Sequence, residues 1–279
     1  MTAEQKTDLA RLLDTAGDYL RDGYARDRDY AFTTDTALSP AVTPLSVPNA
    51  SAPIPGQTAP VPQYGERAPD AVLGVPAAIP SADSLEAIAA EVRTCAVCPL
   101  AAGRKQAVPG EGAAQPLVLV VGEGPGADED ASGRPFVGKA GQLLDKMLAS
   151  IGLSRETNCF IANIVKCRPP NNRDPEPGES SACAPFLARQ ITLLAPRIIL
   201  TLGRIATHNL LNTTEPIGRL RGHFTEYSAA GIPLLPTYHP SALLRDESLK
   251  RPAWEDLKTL RAHLAELDAD YAAMMEGQA

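Results

Sequence analysis

Leu117-Val-Leu-Val-Val121 sets five apolar residues in unbroken succession and then stops at Gly122. A strand with one wet face alternates apolar and polar residues, whereas a run without alternation is buried on both faces. Phe160-Ile-Ala-Asn-Ile-Val165, Arg197-Ile-Ile-Leu-Thr-Leu202 and Ile232 to Leu235 have the same strand-like character. Between them lie helical patterns: Lys139 to Ile151, with Leu143, Leu144, Met147, Leu148 and Ile151 inward, then Ser180 to Leu194 and Ile205 to Leu211. A last helix is expected over Trp254 to Ala265. Strands alternating with helices predict an α/β fold with a mostly parallel sheet covered on both faces. In such sheets ligands bind at the carboxyl ends of the strands.

The folded domain is expected over residues 83–279. Asp83 with Glu86 resembles a capping box, and Leu85, Ile88, Ala89 and Val92 then form one helical face. Upstream, residues 40–80 hold ten prolines and three charged residues. Such a stretch fills neither a ladder nor a helix, so residues 31–82 read as a disordered or polyproline-like linker. Residues 1–30 are expected to carry a docking helix, with Leu9, Leu12, Leu13, Ala16 and Leu20 at helical spacing. The polar, mixed-charge start has no apolar signal core, and no run reaches the roughly 18 apolar residues of a membrane span. A cytoplasmic, monomeric protein with no membrane partner is expected.

The net charge of −7 argues at first against a nucleic-acid partner. Its distribution changes that reading. Residues 1–90 carry 6 Lys/Arg against 12 Asp/Glu, and residues 91–263 carry 20 against 17. The middle of the chain is weakly basic and leaves room for a phosphate-binding face.

Five cysteines and no export signal make a disulfide framework a poor reading. Cys95-Ala-Val-Cys98 is a tight pair, and Cys167 with Cys183 is a loose one. Four thiolates in two pairs suit zinc or a [4Fe–4S] cube, and the loose second pair favours a cluster held by separated loops. Cys159 reads as a core thiol.

Gly122-Glu-Gly-Pro-Gly-Ala127 follows a strand and matches the dinucleotide fingerprint. Pro125 lies inside the turn, however, and Asp128-Glu-Asp130 would repel a pyrophosphate there. The turn instead brings backbone N–H groups and Glu123 toward a small ligand. In Gly133-Arg-Pro-Phe136-Val-Gly138 an aromatic between glycines can serve as a stacking platform for a base.

With these motifs, Asn163-Ile-Val-Lys-Cys167-Arg-Pro-Pro-Asn-Asn-Arg173 and His239-Pro-Ser-Ala-Leu-Leu-Arg245, the chain resembles the family 4, iron–sulfur uracil-DNA glycosylases from about residue 84 to about 264. The resemblance implies a three-layer α/β/α sandwich with a central parallel sheet, uracil-containing DNA as partner, and a [4Fe–4S] cluster on Cys95, Cys98, Cys167 and Cys183. It implies that Glu123 and Gly124 lie in the first catalytic motif, that Phe136 stacks on uracil and that Asn163 reads the base. His239 is then the second-motif histidine. Leu243 and Arg245 lie in the loop that meets DNA, with Leu243 as the wedge. Gly124 stands where the best-known branch of the superfamily has a water-positioning Asp, which leaves Glu123 as the candidate for that task. Gly126 stands where the same branch has a Tyr that excludes thymine. Arg168 and Arg173 read as solvated charges, or as phosphate contacts if they lie near a cluster loop.

The chemistry is consistent with these roles. Uracil is reached only when flipped out of the duplex. A side-chain amide offers a donor for O4 and an acceptor for N3–H. Cleaving the N-glycosidic bond leaves negative charge on uracil O2, to which a histidine can donate. Two competing readings are a covalent relative that traps itself on uracil-DNA and a non-enzymatic iron–sulfur DNA-binding or electron-transfer module. The first needs a histidine-bearing basic insert that Lys166 to Arg173 lacks, and neither module role calls for Asn163 and His239 together. Deleting residues 1–80 is expected to leave uracil release from short oligonucleotides nearly intact, because a proline-rich arm has little to bury. Loss of folding in the truncated protein would show that the arm belongs to the core.

Overall fold

The computed structural model describes residues 83–277; the helix and linker expected over 1–30 and 31–82 lie outside the described residues. Six strands form one sheet: β1 (Glu111–Gly112), β2 (Val118–Gly122), β3 (Cys159–Asn163), β4 (Ile198–Leu202), β5 (Thr225–Tyr227) and β6 (Ile232–Thr237). Their order is β1-β3-β2-β4-β6-β5. The inner four strands pair in parallel, and β1 and β5 close the edges antiparallel. The helices are α1 (Leu85–Thr94), α2 (Leu100–Gly103), α3 (Ala127–Ser132), α4 (Lys139–Ala149), α5 (Pro177–Leu194), α6 (Gly203–Leu211), α7 (Ile217–Leu220), α8 (Pro240–Arg245), α9 (Lys250–Leu267) and α10 (Ala269–Glu276).

Pleating divides each buried run between two cores. Leu119, Val121 and Ile199 face Ile88, Val92, Leu187, Ile191 and Leu210, from α1, α5 and α6. Val118, Val120, Ile198 and Leu200 face Leu144, Leu148, Leu257, Leu260 and Leu264, from α4 and α9. The sheet therefore has a helical layer on each face, as the unbroken apolar runs require. Tyr271 of α10 closes the second core, its hydroxyl donating to the Ile151 carbonyl at 2.6 Å.

Several local expectations are corrected. Ser84, not Asp83, caps α1, its Oγ accepting from the Ala87 N–H at 3.1 Å. Asp83 is instead held by Arg189 of α5, at 2.6 and 2.7 Å, and the same guanidinium grips Glu91. One arginine thus ties the start of the domain to one of the two 18-residue helices that cover the sheet. β3 ends at Asn163, two residues before the apolar run does; the N–H groups of Ile164 and Val165 turn to the carbonyls of Gly122 and Glu123, at 3.0 and 3.1 Å. β1 and β5 are too short to show a period. β6 continues through Pro236, whose carbonyl accepts from the Gly222 N–H and so faces away from β4. The missing proline N–H faces the same way and removes no bond to β4.

The strand order locates the site. The chain leaves β2 for β3 on one side and then crosses to β4 on the other, so the order reverses at the carboxyl end of β2. A crevice opens at such a reversal. Gly122 is the residue at that point.

Candidate active site

The parallel register sets Gly122 level with Asn163. A Cβ on Gly122 would lie 2.5 Å from Asn163 Oδ1 and 2.6 Å from a Phe136 ring carbon. Only glycine lets the amide and the ring close over the same strand end. Asn163 is 1% exposed, and its Oδ1 is the one buried side-chain nitrogen or oxygen among the described residues without a hydrogen-bond partner. An unpaired buried carbonyl costs about 1–3 kcal/mol. What it lacks is a donor, the group that an N–H of a small ring would offer.

Phe136 sits in a left-handed backbone conformation, φ 53°, which an aromatic residue rarely adopts. Three neighbours hold it there. Arg155 donates to the carbonyls of Pro135 and Phe136 at 2.8 and 2.9 Å and is itself anchored on Asp145. Glu129 accepts from the Val137 and Gly138 N–H groups at 2.8 and 2.9 Å, and from Gly126 N–H at 3.0 Å. Gly141 packs so closely that a Cβ would fall 2.0 Å from the Phe136 carbonyl. The ring is presented 5.6 Å from the His239 ring, tilted by 33°.

His239 caps α8. Its Nδ1 accepts from the Ser241 N–H at 3.1 Å and lies 2.8 Å from the Ser241 hydroxyl. With Nδ1 used as an acceptor, the neutral ring carries its proton on Nε2. Burial pushes its pKa down to about 4; the Arg245 charge adds to this and Glu129 opposes it. The imidazole is therefore a neutral N–H donor at physiological pH.

Glu123 is half-buried, and burial pushes its carboxyl up to about 7, with Asp174 adding to the rise and Arg204 opposing it. Asp174 and Arg204 form an ion pair. Gly124 has no room for a side chain: a Cβ would meet Val165 Cγ2 at 2.8 Å. That packing accounts for a glycine where the resemblance leads one to look for an aspartate. One N–H of the turn, that of Gly126, is taken by the Glu129 carboxylate, which also holds the Val137 and Gly138 N–H groups of the next loop.

Cys95, Cys98, Cys167 and Cys183 line a single hollow with Val92, Arg104 and Phe186. The Arg104 guanidinium donates to Cys167 Sγ at 3.1 Å, and the Lys166 backbone N–H to Cys183 Sγ at 3.2 Å. Hydrogen bonds of this kind stabilise thiolate ligands. Among the described residues no group of three or more His, Cys, Asp and Glu has the arrangement of a site for one metal ion. Cys159 is apart from the hollow in β3, its thiol pushed up to about 12 by burial, as a core thiol should be.

Leu243 is 2% exposed and packs into the protein, while its neighbour Leu244 is 49% exposed. The helical turn of α8 points the two side chains apart. Arg245 is exposed. Arg173 is engaged by the buried carboxylate of Glu179 at 2.7 and 2.8 Å, which makes it a structural cation; Arg168 donates to Asn172 near the surface. Sequence reasoning missed Arg155, Glu129 and Ser241 as supports of the site. A serine two residues after the histidine is a readable turn signal. Glu129 stood among acids read only as a repulsive run, and Arg155 gave no local signal at all.

The uracil DNA glycosylase superfamily model matches residues 109–258. A type-4 uracil-DNA glycosylase of Saccharolobus solfataricus is 47% identical over 190 residues, covering 66% of this chain and 88% of that protein. One of Thermotoga maritima is 41% identical over 183 residues, covering 64% and 94%. A type-5 uracil-DNA glycosylase of Pyrobaculum aerophilum is 33% identical over 150 residues, covering 49% and 66%. The chain belongs to the type-4 uracil-DNA glycosylases of that superfamily.

The site's electrostatics can be tested directly. Since His239 titrates near 4, its ring nitrogen resonances are expected to stay constant between about pH 5.5 and 8, with the proton on Nε2. A titration midpoint for this ring near 6.5 would show that burial does not set its state.

Proposed function

We propose that this chain releases uracil from DNA by hydrolysing its N-glycosidic bond, with the flipped base held between Phe136, Asn163 and His239 and an abasic site left behind. The observation that carries this reading is the unpaired, buried Asn163 Oδ1 beside the Phe136 ring. Uracil N3–H is the donor that oxygen lacks, and the amide N–H₂ donates to O4. Cytosine offers an amino group and a bare ring nitrogen at these positions, so a fixed amide rejects it.

The neutral imidazole fits the bond-breaking step. As the C1′–N1 bond breaks, its electron pair passes into the uracil ring and charge gathers on O2. The His239 Nε2–H donates to that oxygen without first giving up a proton, and a donor already in place avoids reorganisation at the moment of charge development. Water then adds to C1′. Glu123 orients it and, when ionised, accepts its proton. With the carboxyl titrating near 7, that role is filled above this pH.

At the DNA surface the exposed Leu244 replaces the buried Leu243 as the wedge that fills the gap left by the flipped base, and Arg245 beside it meets phosphate. The four cysteines would hold a [4Fe–4S] cluster, with Arg104 and the Lys166 N–H supporting Cys167 and Cys183. When bound, the group supplies a covalent staple between the loop after α1, the segment after β3 and helix α5. Brown protein with about four irons per chain is expected from anaerobic preparation. Stoichiometric zinc without iron would overturn the assignment.

Two substitutions separate base reading from base holding. Asn163→Asp removes the donor to O4 and is expected to lower uracil release while narrowing the margin over cytosine. Phe136→Ala is expected to weaken the hold on any flipped base by about 1–3 kcal/mol. Single-turnover release on matched uracil and cytosine substrates measures both. Full uracil activity in Asn163→Asp, with base preference altered only in Phe136→Ala, would mean the scheme is wrong.

A further inference from the structure

We infer that Lys166 is a specificity-determining positioning residue: its buried ammonium fixes the peptide that carries Asn163 and joins it to the cysteine hollow. The inference rests on Asn163 being the amide that reads the base.

Lys166 is 1% exposed, an uncommon place for a lysine. Each of its polar groups has a definite partner. Nζ donates to the Asn163 carbonyl at 3.0 Å and to Gln190 Oε1 at 2.7 Å. The backbone N–H donates to Cys183 Sγ at 3.2 Å, and the carbonyl accepts from the Val108 N–H at 2.8 Å. Gln190, on α5, is fixed in turn by donating to the Pro109 carbonyl at 2.8 Å. A chain of contacts therefore runs from the loop before β1, through α5, to the end of β3.

The end of β3 needs this support. Asn163 is the last residue of the strand, and beyond it the chain turns away. Its side chain presents an unpaired acceptor, an arrangement that a small rotation of the peptide would relieve by letting the amide find another partner. Both Nζ hydrogen-bond acceptors, a carbonyl and an amide, are uncharged; the opposite charge that bears on the ammonium is that of the Cys183 sulfur as a thiolate. A flexible cation kept in a dry interior for two neutral acceptors fits a positioning role better than a contribution to folding, since desolvating it is costly. The cysteine side acts on the same residue through the backbone: Cys183 holds Lys166 N–H while Nζ holds Asn163. Formation of the cysteine site and the readiness of the reading amide are thereby mechanically coupled.

The test uses the full chain with its cysteines intact and compares single-turnover release of uracil and of cytosine. Lys166→Met keeps the backbone bond to Cys183, so iron content and visible absorbance are expected to match the wild type. Uracil release is expected to fall about 10- to 100-fold, the scale of an ångström-sized misplacement, and the uracil-to-cytosine ratio to narrow about tenfold. Gln190→Leu is expected to shift the ratio the same way by less. Gln190→Glu, which keeps an acceptor for Nζ but loses the donor to the Pro109 carbonyl, is expected to retain more of the ratio than Gln190→Leu. Iron-loaded, folded Lys166→Met and Gln190→Leu with an unchanged ratio and only a lowered Tm would overturn the inference. If Lys166→Met does not fold, the two Gln190 variants decide. Asn163→Ala serves as the control: if it leaves discrimination unchanged, the reading of Asn163 itself fails; if it alters discrimination while the Lys166 and Gln190 variants do not, only the coupling fails.

Discussion

Five parallel pairs between β2 and β3, ending with Gly122 opposite Asn163, are the constraint from which the rest of the site follows. Backbone pairing in a parallel sheet fixes which residues arrive together at the strand ends. Here it delivers a residue with no side chain beside one with an amide, under an aromatic ring from the next loop. A one-residue slip would turn Asn163 to the other face of the sheet and bring a larger residue to the place Gly122 must occupy. Val118 to Val121, completely buried on both faces, hold the register through packing on two cores at once.

On this base the site is built from groups kept neutral or pre-occupied. His239 is kept neutral by burial and the Arg245 charge, with Nδ1 accepting from the Ser241 N–H; Glu123 is poised close to neutrality; Glu129 is taken up by three backbone N–H groups. Phe136, Gly141 and Arg155 share a rigid corner in which an unfavourable backbone conformation is held by surrounding contacts. Such strain persists only where neighbours over-determine it, and it is found at working sites more than elsewhere.

Much of this was legible in the sequence because it is local. The unbroken apolar runs carried the buried parallel strands, and the family's motifs pointed to Glu123, Phe136, Asn163 and His239 as a candidate site. What was not legible depends on long-range contacts or on single-residue geometry. Arg155 lies 19 residues from the Phe136 carbonyl it holds, and nothing around it marks the connection. Leu243 and Leu244 are chemically identical neighbours, so only the helical phase of α8 tells which one faces the core. Asp83 and Ser84 are both good caps in isolation; the choice between them was made by Arg189, 106 residues away from Asp83 in sequence. The antiparallel edges, two and three residues long, were below the length at which any period can be read.

The Glu129 carboxylate, seated on the N–H groups of Gly126, Val137 and Gly138, has a consequence for how the protein responds to its surroundings. Glycine turns of this outline elsewhere draw their shape from a bound phosphate and loosen when it leaves. Here the anion is part of the chain and cannot dissociate. The corner it ties together is therefore set before any DNA arrives, and its shape owes nothing to a ligand.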